Sequence, residues 1–268
     1  RVKYSDMAIR RKTGAANRKV QKLMNLMNME TVHVAWDFLK ENGLKALILK
    51  SKHKIQGIDD DYDYAEWWNL TKPSEEELEE QKKKKFDYMP KFSIVIPVYK
   101  TPEKFLKEML DSIVEQTYAN WELCIADGSP AGESVENVLK KYAEKDARIR
   151  YQVLGENRGI SGNTNAALEM AEGDFIVLAD HDDRLTPNAL FECAKKLNEN
   201  ENCDVLYSDE DKLDMDGDEL FDPHFKPDFN PDLLTSVNYI CHLFVVKKEL
   251  LDTVGGFRAE YDGAQDYD

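Results

Sequence analysis

The sequence of 268 residues lacks any run of about 18 apolar residues, which is the length that a membrane-spanning helix needs. It also has little cysteine, and its four cysteines show none of the CxxC spacing that is typical of zinc sites. Three of the four lie in apolar stretches, which favours reduced core thiols over disulfides. We therefore expect a cytoplasmic protein without a membrane span, with free thiols at Cys124, Cys193, Cys203 and Cys241.

Glycine-rich nucleotide motifs are also missing. A dinucleotide site would need GxGxxG after the first strand, where the chain reads Pro97-Val98-Tyr99. A P-loop would need GxxxxGK[ST], and the segment GENRGISG has no such lysine. An EF-hand over DKLDMDGDELFDP would place Lys212 and Pro223 at its first and last ligand positions. The sequence therefore excludes these three kinds of site.

Basic residues are concentrated at the start of the chain. Residues 1–57 hold 13 Lys and Arg against 4 Asp and Glu, a charge of +9, so the remainder carries −25 within the total of −16. Apolar residues at three- and four-residue spacing predict a basic helical arm over 1–57. Two roles stay open for this arm: packing on its own domain, or peripheral contact with the anionic inner face of the plasma membrane. Nucleic acid is not expected as a partner, because the rest of the chain is acidic.

The segment 58–91 is highly charged and contains two prolines, so we expect a linker with one short helix. The helix would cover SEEELEEQKKKK, which has its acids first and its lysines last, as the helix dipole favours. Either Thr71 or Ser74 could cap it.

From Phe92 onward, strand-like and helix-like stretches alternate, which predicts an α/β sheet flanked by helices. The segments FSIVIPVY, WELCIADGS, RIRYQVL, FIVLAD and CDVLYSD are typical of strands, and amphipathic helices separate most of them. Functional residues in such sheets gather at the carboxyl ends of the strands. Those ends read PVY, ADGS, GENRG, DHDD and SDED, so we expect one shared cleft lined with polar and acidic groups.

The stretch FIVLADHDDRLTP places three acids and a histidine directly after a buried strand. Carboxylates so close together repel one another and lose solvation unless a positive partner neutralises them. The D-x-D spacing favours a divalent cation, Mn²⁺ or Mg²⁺, shared with phosphate oxygens. We expect Asp182 to bind the metal and Asp180 to reach a ribose hydroxyl or a metal-bound water, with Asp183 behind them and His181 pointing away.

Three segments in this order resemble a family 2 glycosyltransferase of the GT-A fold, which is a Rossmann-like mixed sheet. They are SIVIPVYKTPEKFLKEMLDSIVEQTYANWELCIADGS, ENRGISGNTNAALEMAEGDFIVLADHDDRLTPNAL and GGFRAEYDGAQDYD. The resemblance covers 92–268, and we expect this domain to continue beyond Asp268. The segments SDEDKLD and FKPDFNPDLLTSVNYI further resemble bacterial members that build surface polysaccharides of the rhamnan and O-antigen types.

The resemblance implies a nucleotide-sugar donor linked to UDP or dTDP. In the family, the ends of the first two strands hold the base, and an Asn-Arg pair lies near the diphosphate. Ala126 stands where the family often has one further acid. The matching residues here are Pro97, Val98, Tyr99, Asp127, Asn157 and Arg158.

The resemblance also implies an inverting reaction in which one carboxylate takes the proton from an acceptor hydroxyl. The matching position is Asp266 in GAQDYD, and Asp268 is the alternative. The acceptor would be a growing cell-surface glycan or a lipid-linked sugar. Asp209 and Asp211 are candidates for facing it, and His242 is interpreted as a core or acceptor-side histidine.

Other classes of protein are weighed against this interpretation. A HAD-type phosphatase also has D-x-D after a strand, but after the first strand of its domain. A sugar nucleotidyltransferase would show a Gly- and Arg-rich loop after the first strand. A nucleotide-sugar-binding module without activity stays open, and the presence of both Asp182 and Asp266 argues against it.

Overall fold

The computed structural model describes residues 64–217 and 219–267. It divides into two compact units, 1–67 and 68–268. The predicted arm over 1–57 lies outside the described residues, and the first unit contributes only the first half of a helix to them. No helix in the described ranges is long and apolar enough to cross a membrane.

Two short helices precede the sheet, α1 (Tyr64–Thr71) and α2 (Glu75–Lys83), where the sequence predicted one. The first ends before Pro73, because a residue that precedes proline disfavours helical geometry. Ser74 rather than Thr71 caps α2: its hydroxyl accepts from the Glu77 amide at 3.3 Å, and the Glu77 carboxylate accepts from the Ser74 amide at 2.8 Å.

A six-stranded mixed sheet forms the centre of the second unit, in the order β3-β2-β1-β4-β8-β5. Four strands are parallel, and β8 runs antiparallel to both β4 and β5. The α/β prediction is confirmed. The strands are β1 (Phe92–Val98), β2 (Trp121–Asp127), β3 (Ile149–Val153), β4 (Phe175–Leu178), β5 (Val205–Tyr207) and β8 (Phe244–Lys247).

The apolar runs of the central strands divide their side chains between two cores. Ile94 and Ile96 of β1 point into one cluster and Val95 into the other, because successive side chains of a strand face opposite ways. Both faces are therefore covered, as a parallel sheet requires. The helices around the sheet are α3 (Glu103–Val114), α4 (Glu136–Ala143), α5 (Gly159–Leu168) and α6 (Ala189–Glu199).

The cysteines follow the expectation of free thiols. Cys124 is buried in β2, and Cys193 and Cys203 are partly buried and pack against the larger core cluster. Burial raises the pKa of the Cys124 thiol to about 11, so it behaves as a small apolar group.

The segment DKLDMDGDELFDP, which the sequence excluded as an EF-hand, lies in a two-stranded hairpin. Its strands are β6 (Glu210–Leu213) and β7 (Leu220–His224). The Asp214 carboxylate accepts from the amides of Gly217 and Glu219 at 2.9 and 3.1 Å. Gly217 has a φ of +86°, which favours glycine at this turn. Asp214 therefore shapes the turn of the hairpin.

The last segment returns to the sheet and then to α5. It contains α7 (Pro231–Leu234), α8 (Lys248–Val254) and two 3₁₀ turns, Ala259–Tyr261 and Gln265–Tyr267. The Asn165 side chain of α5 exchanges two hydrogen bonds with the backbone of Phe257, at 2.7 and 2.9 Å. The Asp262 carboxylate accepts from the Ser161 amide at 3.1 Å, in the first turn of α5.

Candidate functional site

The acidic residues after β4 lie at the predicted edge of the sheet. Antiparallel pairing sets Phe244 opposite Leu178, so His242, two residues earlier, comes to the same edge as Asp180. The Nε2 atom of His242 lies 3.2 Å from Oδ2 of Asp180. The tertiary structure thus pairs the acids with an imidazole from a distant part of the sequence.

A turn decides which acids come together. The Asp183 amide donates to the Asp180 carbonyl at 3.4 Å, so the chain bends here. The bend brings Asp180, Asp183 and His242 into one group, whose ligand atoms lie within 4.8 Å of one another. Asp182, predicted to bind metal, is outside this group: its side chain is 56% exposed and lies 3.6 Å from His181 Nδ1. The D-x-D interpretation assumed an extended chain, in which positions 180 and 182 share a side.

The charges of this group shift one another's pKa values. The hydrogen bond that the His242 ring donates to Asp180 raises the pKa of His242 to about 9, and the charges of Asp183 and Asp266 add to the effect. The same hydrogen bond lowers the pKa of Asp180. Loss of solvation raises the pKa of Asp183, and the negative charges of the neighbouring acids raise it further. His242, as an imidazolium, is therefore the positive partner that the acidic turn requires in this structure.

The group also has the composition of a metal site. Two carboxylates and one imidazole are a donor set that first-row divalent cations accept. The buried Nδ1 atom of His242 has no hydrogen-bond partner among the described residues, so no contact within them fixes which ring nitrogen of the neutral imidazole carries the proton. The residues present therefore fit a divalent cation.

The predicted base-binding residues lie side by side at the ends of β1 and β2, where Val98 pairs with Asp127. Val98 and Asp127 are fully buried, and Tyr99 is 40% exposed. Both oxygens of Asp127 are engaged within the chain, by the Ser129 amide, the Ser134 hydroxyl and the Val135 amide at 2.9, 2.6 and 3.2 Å. Asp127 thus holds the loop that follows β2.

Asn163 joins the second and third strand-end loops. Its side chain donates to Asn157 at 3.0 Å and accepts from the Arg158 amide at 3.1 Å. It also fills the space beside Gly128, where an added Cβ would come within 3.0 Å of it. The Arg158 guanidinium itself is half-exposed and lies 3.3 Å from Glu156. Asn157 and Arg158 are therefore held at the edge by a buried amide.

Asp266, the predicted base, lies in the exposed 3₁₀ turn Gln265–Tyr267. Its carboxylate accepts from the Gln265 amide group, and its carbonyl accepts from Asn238, both at 3.3 Å. Its charge contributes to the raised pKa of His242, so it lies within electrostatic range of the acidic turn. The alternative base, Asp268, lies outside the described residues.

Sequence reasoning did not identify the roles of His242, Asp262 and Lys226. The Lys226 side chain is 1% exposed, and its ammonium group donates to the Ile240 carbonyl at 2.6 Å and to the His242 carbonyl. A lysine that follows an aromatic residue and precedes a proline gives no signal of burial. The antiparallel entry of β8 was also unpredicted, and that pairing is what brings His242 to the site.

Comparison with known proteins identifies relatives of this domain. An uncharacterized protein of Sinorhizobium fredii is 44% identical over 179 residues, covering 67% of this chain and 20% of that protein. The O-antigen biosynthesis protein RfbC of Myxococcus xanthus is 35% identical over 206 residues, covering 77% of this chain and 16% of that protein. The chain thus spans a fifth or less of the length of these relatives.

A solved structure has the same fold. Residues 1–349 of TarS from S. aureus, crystallised with UDP, superimpose with a TM-score of 0.53 at 25% identity, over 66% of this chain and 53% of that one. The match confirms the GT-A fold that the sequence predicted. A family model described as glycosyl transferase family 2 matches residues 93–255. With its sheet, its acidic turn and these relatives, the chain belongs to glycosyl transferase family 2.

Proposed function

We propose that this chain carries an inverting glycosyltransferase that moves a hexose from a nucleotide-sugar donor to a hydroxyl group of a growing cell-surface glycan or lipid-linked acceptor. One observation carries the proposal: Asp180, Asp183 and His242 form a group at the end of β4, with the charge of Asp266 in range. The relationship to an O-antigen biosynthesis protein supports a surface polysaccharide as the product.

The donor in this proposal is a UDP- or dTDP-linked sugar. The UDP in the TarS structure supports a pyrimidine nucleotide. The base would bind against the ends of β1 and β2, with the half-exposed Tyr99 ring beside it. Asp127 would act by holding the loop around the base, since its own oxygens are engaged within the chain. Asn157 and Arg158 would bind the ribose and diphosphate, because a guanidinium group supplies directional donors to phosphate.

The cofactor in this proposal is Mn²⁺ or Mg²⁺, held by Asp180, Asp183 and His242. When bound, such an ion neutralises charge that develops on a departing diphosphate. The positive charge of the ion would offset the repulsion between the carboxylates of Asp180 and Asp183. His242 would bind it as the neutral imidazole. The assignment of the metal to Asp182 stays a prediction of the sequence, and the experiment below distinguishes the two.

Asp266 is the general base in this proposal, with Asp268 as the alternative. Its carboxylate takes the proton of the acceptor hydroxyl while the hydroxyl oxygen bonds to the anomeric carbon. The bond between that carbon and the diphosphate oxygen breaks in the same step, and the electron pair leaves with the diphosphate. Attack from the face opposite the leaving group inverts the anomeric centre.

The location in this proposal is the cytoplasm, with the basic arm over 1–57 at the inner face of the plasma membrane. Each basic residue near an anionic surface contributes about 1 kcal/mol. Sedimentation with anionic liposomes at low salt measures this attachment. Equal sedimentation of the whole chain and of a chain lacking 1–57 would contradict it.

Thermal shift with UDP, dTDP and GDP, each with and without Mn²⁺, tests the donor site. A ligand at 100 times its dissociation constant stabilises the fold by about 2.7 kcal/mol. We expect stabilisation by UDP or dTDP that depends on Mn²⁺. A chain that responds to none of these nucleotides would contradict the proposed donor.

Four variants assign the metal. We expect Asp180→Asn and Asp183→Asn to abolish the effect of Mn²⁺, and Asp182→Asn to keep most of it, with Asp232→Asn in α7 as the matched control. If only Asp182→Asn abolished the Mn²⁺ effect, the metal would be assigned to Asp182, as the D-x-D spacing predicts.

A further inference from the structure

A groove with a volume of 430 Å³ lies between two segments of the second unit, residues 205–209 and 226–229. The first segment is β5 and the residues that follow it, and the second follows the hairpin β6–β7. Its volume is within the range of about 300–1,000 Å³ that is typical of small-molecule sites. None of the nucleotide-binding candidates lines it.

The strand order puts this groove on the far side of the acidic turn from the predicted nucleotide residues. Those residues follow β1, β2 and β3, which lie on one side of β4, whereas β8 and β5 lie on the other. In the paired register, Leu178, Phe244 and Tyr207 form one row across the sheet. The residues after Tyr207 therefore emerge at the same edge as Asp180. A donor on one side and a second substrate in the groove would meet at the acidic turn.

Hydrogen bonds fix the walls of the groove. The Tyr207 hydroxyl donates to the Pro227 carbonyl at 2.7 Å, and the Tyr239 hydroxyl accepts from the Asn230 amide at 2.8 Å. The two tyrosine rings contact each other edge to face, with centroids 5.9 Å apart. The wall is thus preorganised, which lowers the entropy cost of binding a ligand.

Lys226 links this wall to the acidic turn. Its backbone amide donates to Asp209 at 2.7 Å, on the opposite wall of the groove. Its buried ammonium group donates to the carbonyl of His242, the residue that pairs with Asp180. Lys226 therefore contacts both the groove and a member of the group at the end of β4.

The lining has the chemistry of a saccharide site. The Phe229 ring is 65% exposed although it is large and apolar, and it offers a flat face for the C–H side of a sugar ring. Asp209 and Asp228 supply carboxylate oxygens that accept hydrogen bonds from sugar hydroxyl groups. The acids disfavour an anionic ligand, so a second nucleotide or phosphate does not suit the groove.

We propose that this groove is the acceptor subsite, where a neutral sugar unit of the acceptor glycan stacks on Phe229 and bonds to Asp209 and Asp228. The proposal rests on the proposed function, since it names the part of the glycan that the transferase holds. Its distinguishing requirement is that saccharide binding depends on Phe229 while nucleotide binding does not.

The test measures binding of the 268-residue chain to an array of defined neutral mono- and oligosaccharides, in the presence of UDP and Mn²⁺. The variants are Phe229→Ala and Asp228→Asn, and Phe221→Ala is the control, a 44% exposed phenylalanine of β7 outside the groove. Isothermal calorimetry with the best-bound saccharide then gives affinities. We expect Phe229→Ala to weaken binding by at least about tenfold, equal to about 1.4 kcal/mol, and Phe221→Ala to leave it unchanged.

Each outcome separates the groove from the donor site. No saccharide binding by the wild type, or equal binding by Phe229→Ala, would overturn the proposal even if UDP still binds with Mn²⁺. Loss of self-association in Phe229→Ala, measured by sedimentation, without saccharide binding would assign the groove to a second copy and also overturn it. Saccharide binding that depends on Phe229, without any nucleotide response, would support the groove and contradict the proposed transferase.

Discussion

The four parallel strands and the region from 205 to 267 build the same sheet edge in different ways. In the first region, β1 and β2 are almost wholly buried, and their backbone register alone brings Val98 and Asp127 together. In the second, β5 and β7 are short and partly exposed, and side-chain hydrogen bonds fix the loops. The proposed donor side therefore depends on the packing of a core, whereas the proposed acceptor side depends on individual polar side chains such as Lys226.

Substitution of the predicted base, Asp266, is expected to give the largest effect. Asp266 is an exposed residue of the second region, so its loss should impair the reaction and leave the core intact. We expect Asp266→Asn to lower sugar transfer by at least about a hundredfold, since the amide cannot accept the proton, and to leave UDP binding unchanged. Transfer and nucleotide affinity are measured together on the wild type and the variant. Transfer within a few-fold of the wild type would exclude Asp266 as the base and favour Asp268.

The cores of the two regions are expected to respond differently to truncation. Ile94 is fully buried in β1, and Ile94→Ala should lower the free energy of unfolding by about 2–5 kcal/mol. Leu206 of β5 is only partly buried, so Leu206→Ala should cost less. Urea unfolding measures both. Equal losses would show that the second region is as tightly packed as the first.

The contact between Gly159 and Asp262 tests how the regions are joined. Gly159 has a φ of +76°, and an added Cβ would come within 3.0 Å of the Asp262 carboxylate. Gly155 has a similar φ of +74° with nothing within 4 Å, so it serves as the control. We expect Gly155→Ala to cost about 1–2 kcal/mol from backbone strain alone, and Gly159→Ala to cost more.

A double variant isolates that contact. In an Asp262→Ala background, Gly159→Ala should cost no more than Gly155→Ala, because the atom that it meets is gone. Thermal unfolding of the four variants gives the comparison. An unchanged cost in that background would mean that the two regions do not depend on this contact.

The hairpin turn is expected to give the smallest effect. Asp214→Ala removes the acceptor of two backbone amides and should lower stability by about 0.5–1.5 kcal/mol. Nucleotide affinity should stay the same, because the turn lies outside the proposed donor residues. A change in UDP affinity would show that the hairpin supports nucleotide binding.

The sequence alone determined the parallel half of the fold. The mainly apolar runs that became β1, β2 and β4 predict strands, because a strand buried on both faces is mainly apolar. The ends of parallel strands lie at one edge, and Asp127, Asn157 and Asp180 end or follow β2, β3 and β4. The sequence also predicted that a Ser or Thr side chain caps α2, because the cap depends on hydrogen bonds between residues that are close in sequence.

Only the tertiary structure decided which side chains meet. The turn at 180–183 groups Asp180 with Asp183, and the antiparallel entry of β8 brings His242 to them, over a separation of about sixty residues in the chain. Apolar periodicity carries no information about either, because a strand reads the same in both directions and a turn depends on its surroundings. The burial of Lys226 also depends on tertiary structure. The carbonyl groups of Ile240 and His242 stabilise its charge, and the residues next to Lys226 in the sequence do not predict these contacts.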